Sequence, residues 1–169
     1  MGPALNIYVL SRERNLASVD TFINGFCDRT AIEDRKDEEI TAVPLGTPAE
    51  SVAMDRYDSE SFKAVSVTQS IKFGLDNPTR GFALYYPSSR QFLSQTILTF
   101  TIDQGIIFGA SVIQPMFTHP ERIAVLYLHF IARKYKGIAA GIFAELAPPR
   151  TDAHLQTLLN HGLCVYKWP

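Results

Sequence analysis

Thr96-Ile-Leu-Thr-Phe-Thr-Ile-Asp-Gln-Gly-Ile-Ile-Phe-Gly-Ala-Ser-Val-Ile113 is the stretch on which the fold turns. Two runs rich in β-branched and aromatic residues, 96–102 and 106–113, flank Asp103-Gln104-Gly105. Such side chains fit a pleated surface, and a three-residue connection with glycine in its last place suits a hairpin closed through a bulge. The middle of the chain therefore reads as an antiparallel pair, and the sheet it belongs to is not purely parallel.

Working outward toward the N-terminus, Gly81 to Tyr86 reads as a strand closed by Pro87-Ser88-Ser89. Before it, Ala64, Val67, Ile71 and Leu75 share one face of a helix over 62–75, which Asn77-Pro78 ends because the residue before proline is pushed out of the helical region. Residues 48–61 show little periodicity and read as the longest loop, and Ile40 to Leu45 as a short strand stopped by Pro44, Gly46 and Pro48. Asn6 to Ser11 is a mostly apolar first strand. Asn15 caps the helix after it, where Leu16, Val19, Phe22, Ile23 and Phe26 recur at spacings of three and four and form one apolar stripe.

Toward the C-terminus, Thr118 and Glu121 make a capping box with Pro120 in the first turn. Ile123, Leu126, Phe130 and Ile131 follow at helical spacing, Lys134 and Lys136 sit at the negative end of the dipole, and Gly137 stops the helix. Ile138 to Leu146 reads as a strand, Thr151 caps a short helix carrying Leu155, Leu158 and Leu159, and Cys164 to Trp168 is a last strand or a packed tail. The order β-α-β-α-β-β-β-α-β-α describes a mixed α/β fold of the α+β kind: one mixed sheet with a central antiparallel hairpin and flanking helices, over 1–169 as a single domain.

Composition supports that size. A chain of about 150 residues buries roughly 68–70% of its unfolded surface, so 169 residues need no staple. The two cysteines, Cys27 and Cys164, make no C-x-x-C pair and fit a reducing compartment. Residues 1–10 lack a basic start and a signal-length apolar run, and nowhere do 18 apolar residues follow one another, so the reading is cytoplasmic, with no membrane partner.

Motifs for chemistry are missing. There is no G-x-x-x-x-G-K-[ST], no G-x-G-x-x-G after a strand and no G-x-S-x-G, so neither nucleotide binding nor serine hydrolysis has its usual support, and no cofactor is expected. Cys27 follows Phe26 beside an apolar stripe, where a buried structural thiol is the commoner outcome than a nucleophile. His154, His161 and Cys164 supply three metal-ligand types, but Gly162 lies among them and no paired cysteines support a site, so no metal is expected. His119 falls in a capping region and His129 between the core positions Leu128 and Phe130. No catalytic residue is assigned, and the chain is not read as an enzyme.

Charge carries more. Residues 1–60 hold 12 acidic and 6 basic side chains, and residues 61–169 hold 5 and 10, so net charges of −6 and +5 lie on the two parts of a chain whose total is −1. The run Glu33-Asp-Arg-Lys-Asp-Glu-Glu39 concentrates the acid. It fails the spacing of a calcium loop, and Arg35 and Lys36 interrupt it as on a solvated, salt-bridged face. The competing reading is a contact region for a basic partner through Glu33, Asp34, Asp37, Glu38 and Glu39. The basic part lacks aromatic-interleaved Lys/Arg clusters and is not read as a nucleic-acid surface.

Three stretches, Asn6-Ile-Tyr-Val-Leu-Ser-Arg-Glu-Arg-Asn15, Glu33 to Glu39, and Gly74-Leu-Asp-Asn-Pro-Thr-Arg-Gly-Phe-Ala-Leu-Tyr-Tyr-Pro87, resemble the immunity proteins of bacterial toxin–immunity loci, including those of contact-dependent growth inhibition. The resemblance implies a cytoplasmic protein that neutralises a cognate toxin domain by binding it. Nucleases are among such toxins, and their basic clefts would attract an acidic surface. Two other classes stay open: an enzyme using carboxylates of the 33–39 run with a histidine from elsewhere, and a homo-oligomeric scaffold pairing through an exposed edge at Ile106 to Ile113.

Overall fold

The computed structural model describes residues 4–28, 53–56, 67–112, 119–162 and 164–167. The elements are β1 (Leu5–Ser11), α1 (Leu16–Phe26), β2 (Ala53–Arg56), α2 (Val67–Asp76), β3 (Phe82–Pro87), β4 (Leu93–Phe100), β5 (Ile106–Val112), α3 (Pro120–Lys134), β6 (Gly137–Ala144), α4 (Asp152–Leu158) and β7 (Cys164–Lys167). Seven strands make one sheet in the order β2-β3-β4-β5-β1-β6-β7, and every neighbouring pair is antiparallel. The expected α/β fold, one sheet with a central hairpin and flanking helices, is the observed one, but the sheet is antiparallel throughout and not mixed, because each strand runs opposite to its neighbours.

Strand alternation builds two apolar layers. Leu5, Ile7 and Val9 of β1 share a face with Phe108, Ala110 and Val112 of β5 and with Leu98 and Phe100 of β4, and that face packs against Val19, Phe22, Ile23 and Phe26 of α1, Ile71 of α2 and Ala124, Leu128 and Ile131 of α3. The opposite face, with Tyr8, Leu10, Ile97, Ile107 and Phe143, meets Leu155 and Leu159 from α4 and its end. Three helices therefore lie on one side and one short helix on the other. Phe22 is the centre of the thicker layer, fully buried and in ring contact with Phe26, Phe108 and Tyr135.

Several expectations are corrected. Ala53–Arg56, expected in a long loop, forms edge strand β2 opposite Phe82–Tyr85; its backbone is paired by a neighbour that no local pattern reveals. Ile106–Val112 is no edge, because β4 lies on one side of it and β1 on the other, so self-association through that strand is excluded. α3 is capped at His119, whose side chain makes no capping hydrogen bond; the Thr118 half of the expected capping box lies outside the described residues. Leu16, Leu126 and Phe130, expected in the core stripes, are exposed: α1 buries the rest of its stripe, Val19, Phe22, Ile23 and Phe26, and α3 turns Ala124, Leu128 and Ile131 inward. The hairpin places its left-handed residue at Gln104 (φ 78°) and not at Gly105, and α3 leaves its helix through Lys136 (φ 50°) and not Gly137. The expected strand at 40–45 and the run 33–39 also lie outside the described residues.

Candidate functional site: a groove between the first two helices

One end of the sheet gathers the β1–α1 connection, the C-terminus of α2, the β4–β5 loop and the start of α4. Arg14 ties the first three together. Its Nε donates to the Gly74 carbonyl (2.9 Å), Nη2 to those of Gly74 (2.6 Å), Asn77 (3.1 Å) and Arg80 (3.0 Å), and Nη1 to those of Thr101 (2.7 Å), Gly105 (3.0 Å) and Pro78 (3.1 Å). The guanidinium also lies 5.1 Å from the centre of the Phe100 ring. The last carbonyls of a helix lack intrahelical partners and carry partial negative charge, and a rigid five-donor fork suits them better than an ammonium. Burial pulls the Arg14 pKa down to about 10, against the opposing pull of Asp152, and the group stays charged at neutral pH.

Asp103 and Asp152 meet beside this staple. Asp103 caps α4 by accepting from the backbone N–H of Asp152 (2.7 Å) and of Ala153 (3.3 Å), while Thr151 accepts from His154 N–H (2.8 Å). Asp152 accepts from the Thr101 hydroxyl (2.7 Å) and from Arg12. Burial pushes the Asp152 carboxyl above its ordinary 3.8, helped by the charge of Asp103 and opposed by Thr101 and Arg12. Burial pushes Asp103 up as well, but its hydrogen bonds, led by those from the two backbone N–H groups, together outweigh it and leave this group below 3.8. Carboxylates driven apart in this way are a pattern of acid–base sites. Here their oxygens are engaged by the protein itself, and a Cβ at residue 105 would come within 2.7 Å of Asp152 Cγ, so the loop packs directly on Asp152 while Asp103 stays exposed. The arrangement is a structural junction.

That junction fixes one end of a groove of about 430 Å³ lined by Leu16 and Asp20 from α1 and by Thr68, Ile71, Lys72, Leu75 and Asp76 from α2. Spacings of three and four put each set on one helical face. Asn15, accepting from Ser18 N–H (2.9 Å), starts α1 at the right place, and Arg14 holds α2 by its last turn. Gly74 lets α2 descend onto the sheet: a Cβ there would sit 2.8 Å from the Phe100 ring. Ile71 forms the buried floor, and Leu16 is 56% exposed at the rim.

The electrostatics of the groove are unbalanced. Asp20 Oδ1 is sealed from solvent with no hydrogen-bond donor. A buried polar atom without a partner is uncommon and calls for an explanation. Among the described residues, Lys72 forms an ion pair with neither Asp20 nor Asp76. An apolar wall with two carboxylates suits an aliphatic stem ending in a cation, which is the shape of a lysine or arginine side chain. The groove lining contains neither histidine nor cysteine.

The expected contact residues Glu33, Asp34, Asp37, Glu38 and Glu39 all lie outside the described residues. Cys27 is buried, its Sγ 3.1 Å from the Thr96 hydroxyl, in the structural role expected of it. His154 and His161 are exposed, near the two ends of α4. Sequence reasoning missed Asp20 and Asp76. Asp20 sits four residues after Leu16, but no pattern in the chain announces that α1 and α2 lie side by side. No helix among the described residues is long and apolar enough to cross a membrane. The chain matches no family model, no curated protein and no solved structure.

Proposed function

We propose that this chain works by binding and not by turnover: it is a cytoplasmic immunity-type protein that neutralises a cognate toxin domain with a basic surface. The observation that carries this reading is the α1–α2 groove, where an apolar floor is paired with the carboxylates of Asp20 and Asp76 and one carboxylate oxygen has no donor. A basic side chain of the partner, its stem along the apolar wall, brings its charge to these two carboxylates. The net −6 of residues 1–60 supplies the longer-range attraction, which speeds encounter and weakens with salt. Five of the twelve carboxylates behind that charge lie in the run 33–39.

The test is co-purification of the tagged chain with the proteins encoded beside it, in four forms: unchanged, Asp20→Lys with Asp76→Lys, lysine at positions 33, 34, 37, 38 and 39, and both sets combined. The expected result is one neighbour-encoded protein captured at low salt, lost in the groove variant, and inhibited in its own activity by the unchanged chain. Absence of any captured neighbour, or capture that survives all the reversals, would overturn the proposal.

A further inference from the structure

α3 presents a second surface, of opposite charge. Leu126 is 70% exposed and Phe130 46% exposed, one helical turn apart on the outer side of α3, while Leu128 and Ile131 point into the core. Arg122 lies one turn before Leu126, and Arg133 and Lys134 lie within one turn after Phe130. Residues four apart are neighbours on a helix, so the outer face reads cation, leucine, phenylalanine, cation. All three cations are exposed, and among the described residues none of them meets a carboxylate. Lys134 leans on the Phe130 ring, with Nζ 5.6 Å from its centre.

Phe130 is held in place. Its ring packs 5.8 Å from Phe26, and the neighbouring Tyr127 donates its hydroxyl to the Gln91 carbonyl (2.8 Å). A fixed, exposed aromatic beside an exposed leucine loses little freedom on binding, which is the character of an interface anchor. Scattered exposed apolar side chains need no explanation, but two on one face between cations make a directed surface.

We infer that this face docks an acidic amphipathic helix of a protein partner, whose apolar side chains cover Leu126 and Phe130 and whose carboxylates meet Arg122, Arg133 and Lys134. Charge selects this occupant. Two copies of the chain pairing antiparallel through α3 would set Leu126 against Phe130 and Arg122 against Lys134, and a parallel pairing would stack each cation on its own copy, so both are repulsive. A lipid surface gains affinity with the apolar area it buries, and two side chains, one of them half-packed, offer little. The surface is separate from the α1–α2 groove, and its test does not depend on that site.

The probe is a synthetic helix of about four turns with leucines at spacings of three and four and glutamates beside them, compared with the same peptide carrying lysine for glutamate. It is titrated into the isotope-labelled full chain and followed by amide chemical shifts. The expected result is shifts confined to α3, an affinity that drops about tenfold in Arg122→Glu with Arg133→Glu and again in Leu126→Asp, and no binding of the lysine peptide. All three substitutions are at exposed positions, and an unchanged spectrum elsewhere confirms the fold. Equal binding of both peptides, binding of neither, concentration-dependent dimerisation through α3, or association only with phosphatidylglycerol vesicles would each overturn the inference.

Discussion

Replacing Arg14 by methionine should destabilise the fold by about 4 kcal/mol, because three of its contacts are short and charge-assisted: 2.6 and 2.9 Å to Gly74 and 2.7 Å to Thr101. Hydrogen bonds to a charged group contribute roughly 1.5–3 kcal/mol each, and the lower value applies here because the group is only partly buried. The longer contacts, 3.0–3.1 Å to Asn77, Pro78, Arg80 and Gly105, are given no weight, since water can replace them. Methionine keeps the stem that packs on Phe100, so the change isolates the head group. Arg14→Lys retains charge but offers three donors from a single point to carbonyls on two elements, and should lose about half as much. Urea unfolding followed by circular dichroism gives both values, with the midpoint falling and the slope unchanged. Amide exchange in the last turn of α2 should quicken in both variants, since that turn loses its anchor. A loss under about 1 kcal/mol for methionine, or lysine equal to arginine, would refute the view that the fork organises this end of the molecule.

Gly105→Ala should destabilise by about 1–3 kcal/mol, because the new Cβ would press on the Asp152 carboxylate, whereas Gln104→Gly should gain roughly 0.5–1 kcal/mol by relieving the left-handed backbone; thermal melts of the two variants shifting the same way would contradict this assignment of the turn. The folded pKa of Asp152 lies above 3.8, so from that value up to its folded pKa the native state binds more protons than the unfolded one, and this group's contribution to stability falls as pH rises through that window. Asp152→Asn removes the effect, so the stability of the unchanged chain relative to the variant should decline with pH there; a rising difference would show that Arg12, and not burial, dominates. Phe22→Ala should cost about 3–5 kcal/mol, measured in urea, because it empties the contact among Phe26, Phe108 and Tyr135; a loss near 1 kcal/mol would mean the layer collapses to fill the space.

Much of the fold was legible because local chemistry and tertiary structure agree. Asn15 and Thr151 cap helices where their short oxygen-bearing side chains predict, and Asn77-Pro78 ends α2 at Asp76. Strands β1 and β5 are nearly continuous apolar runs because both faces of the sheet are covered. β2 was illegible, because a four-residue edge strand is specified by its neighbour's unpaired backbone and not by its own pattern. Leu126 and Phe130 misled for the opposite reason: helical spacing reveals that apolar residues share a face, but not which of two nearby stripes turns inward.

The amino-acid sequence by itself determined the antiparallel centre, the helix caps at Asn15 and Thr151, the end of α2 before Pro78 and the separation of charge between the two parts of the chain. These follow from rules that act over a few residues: side-chain periodicity, capping and the backbone limits of proline. Tertiary structure alone decided that β1 is inserted between β5 and β6, that α1 lies beside α2, and that Arg14 meets carbonyls as far along the chain as residues 74 and 105. The groove and the α3 face are products of those long-range choices. Asp20 and Asp76 line one groove only because two helices lie on one side of a sheet, and the nearness of segments so far apart in sequence leaves no periodic trace in the chain.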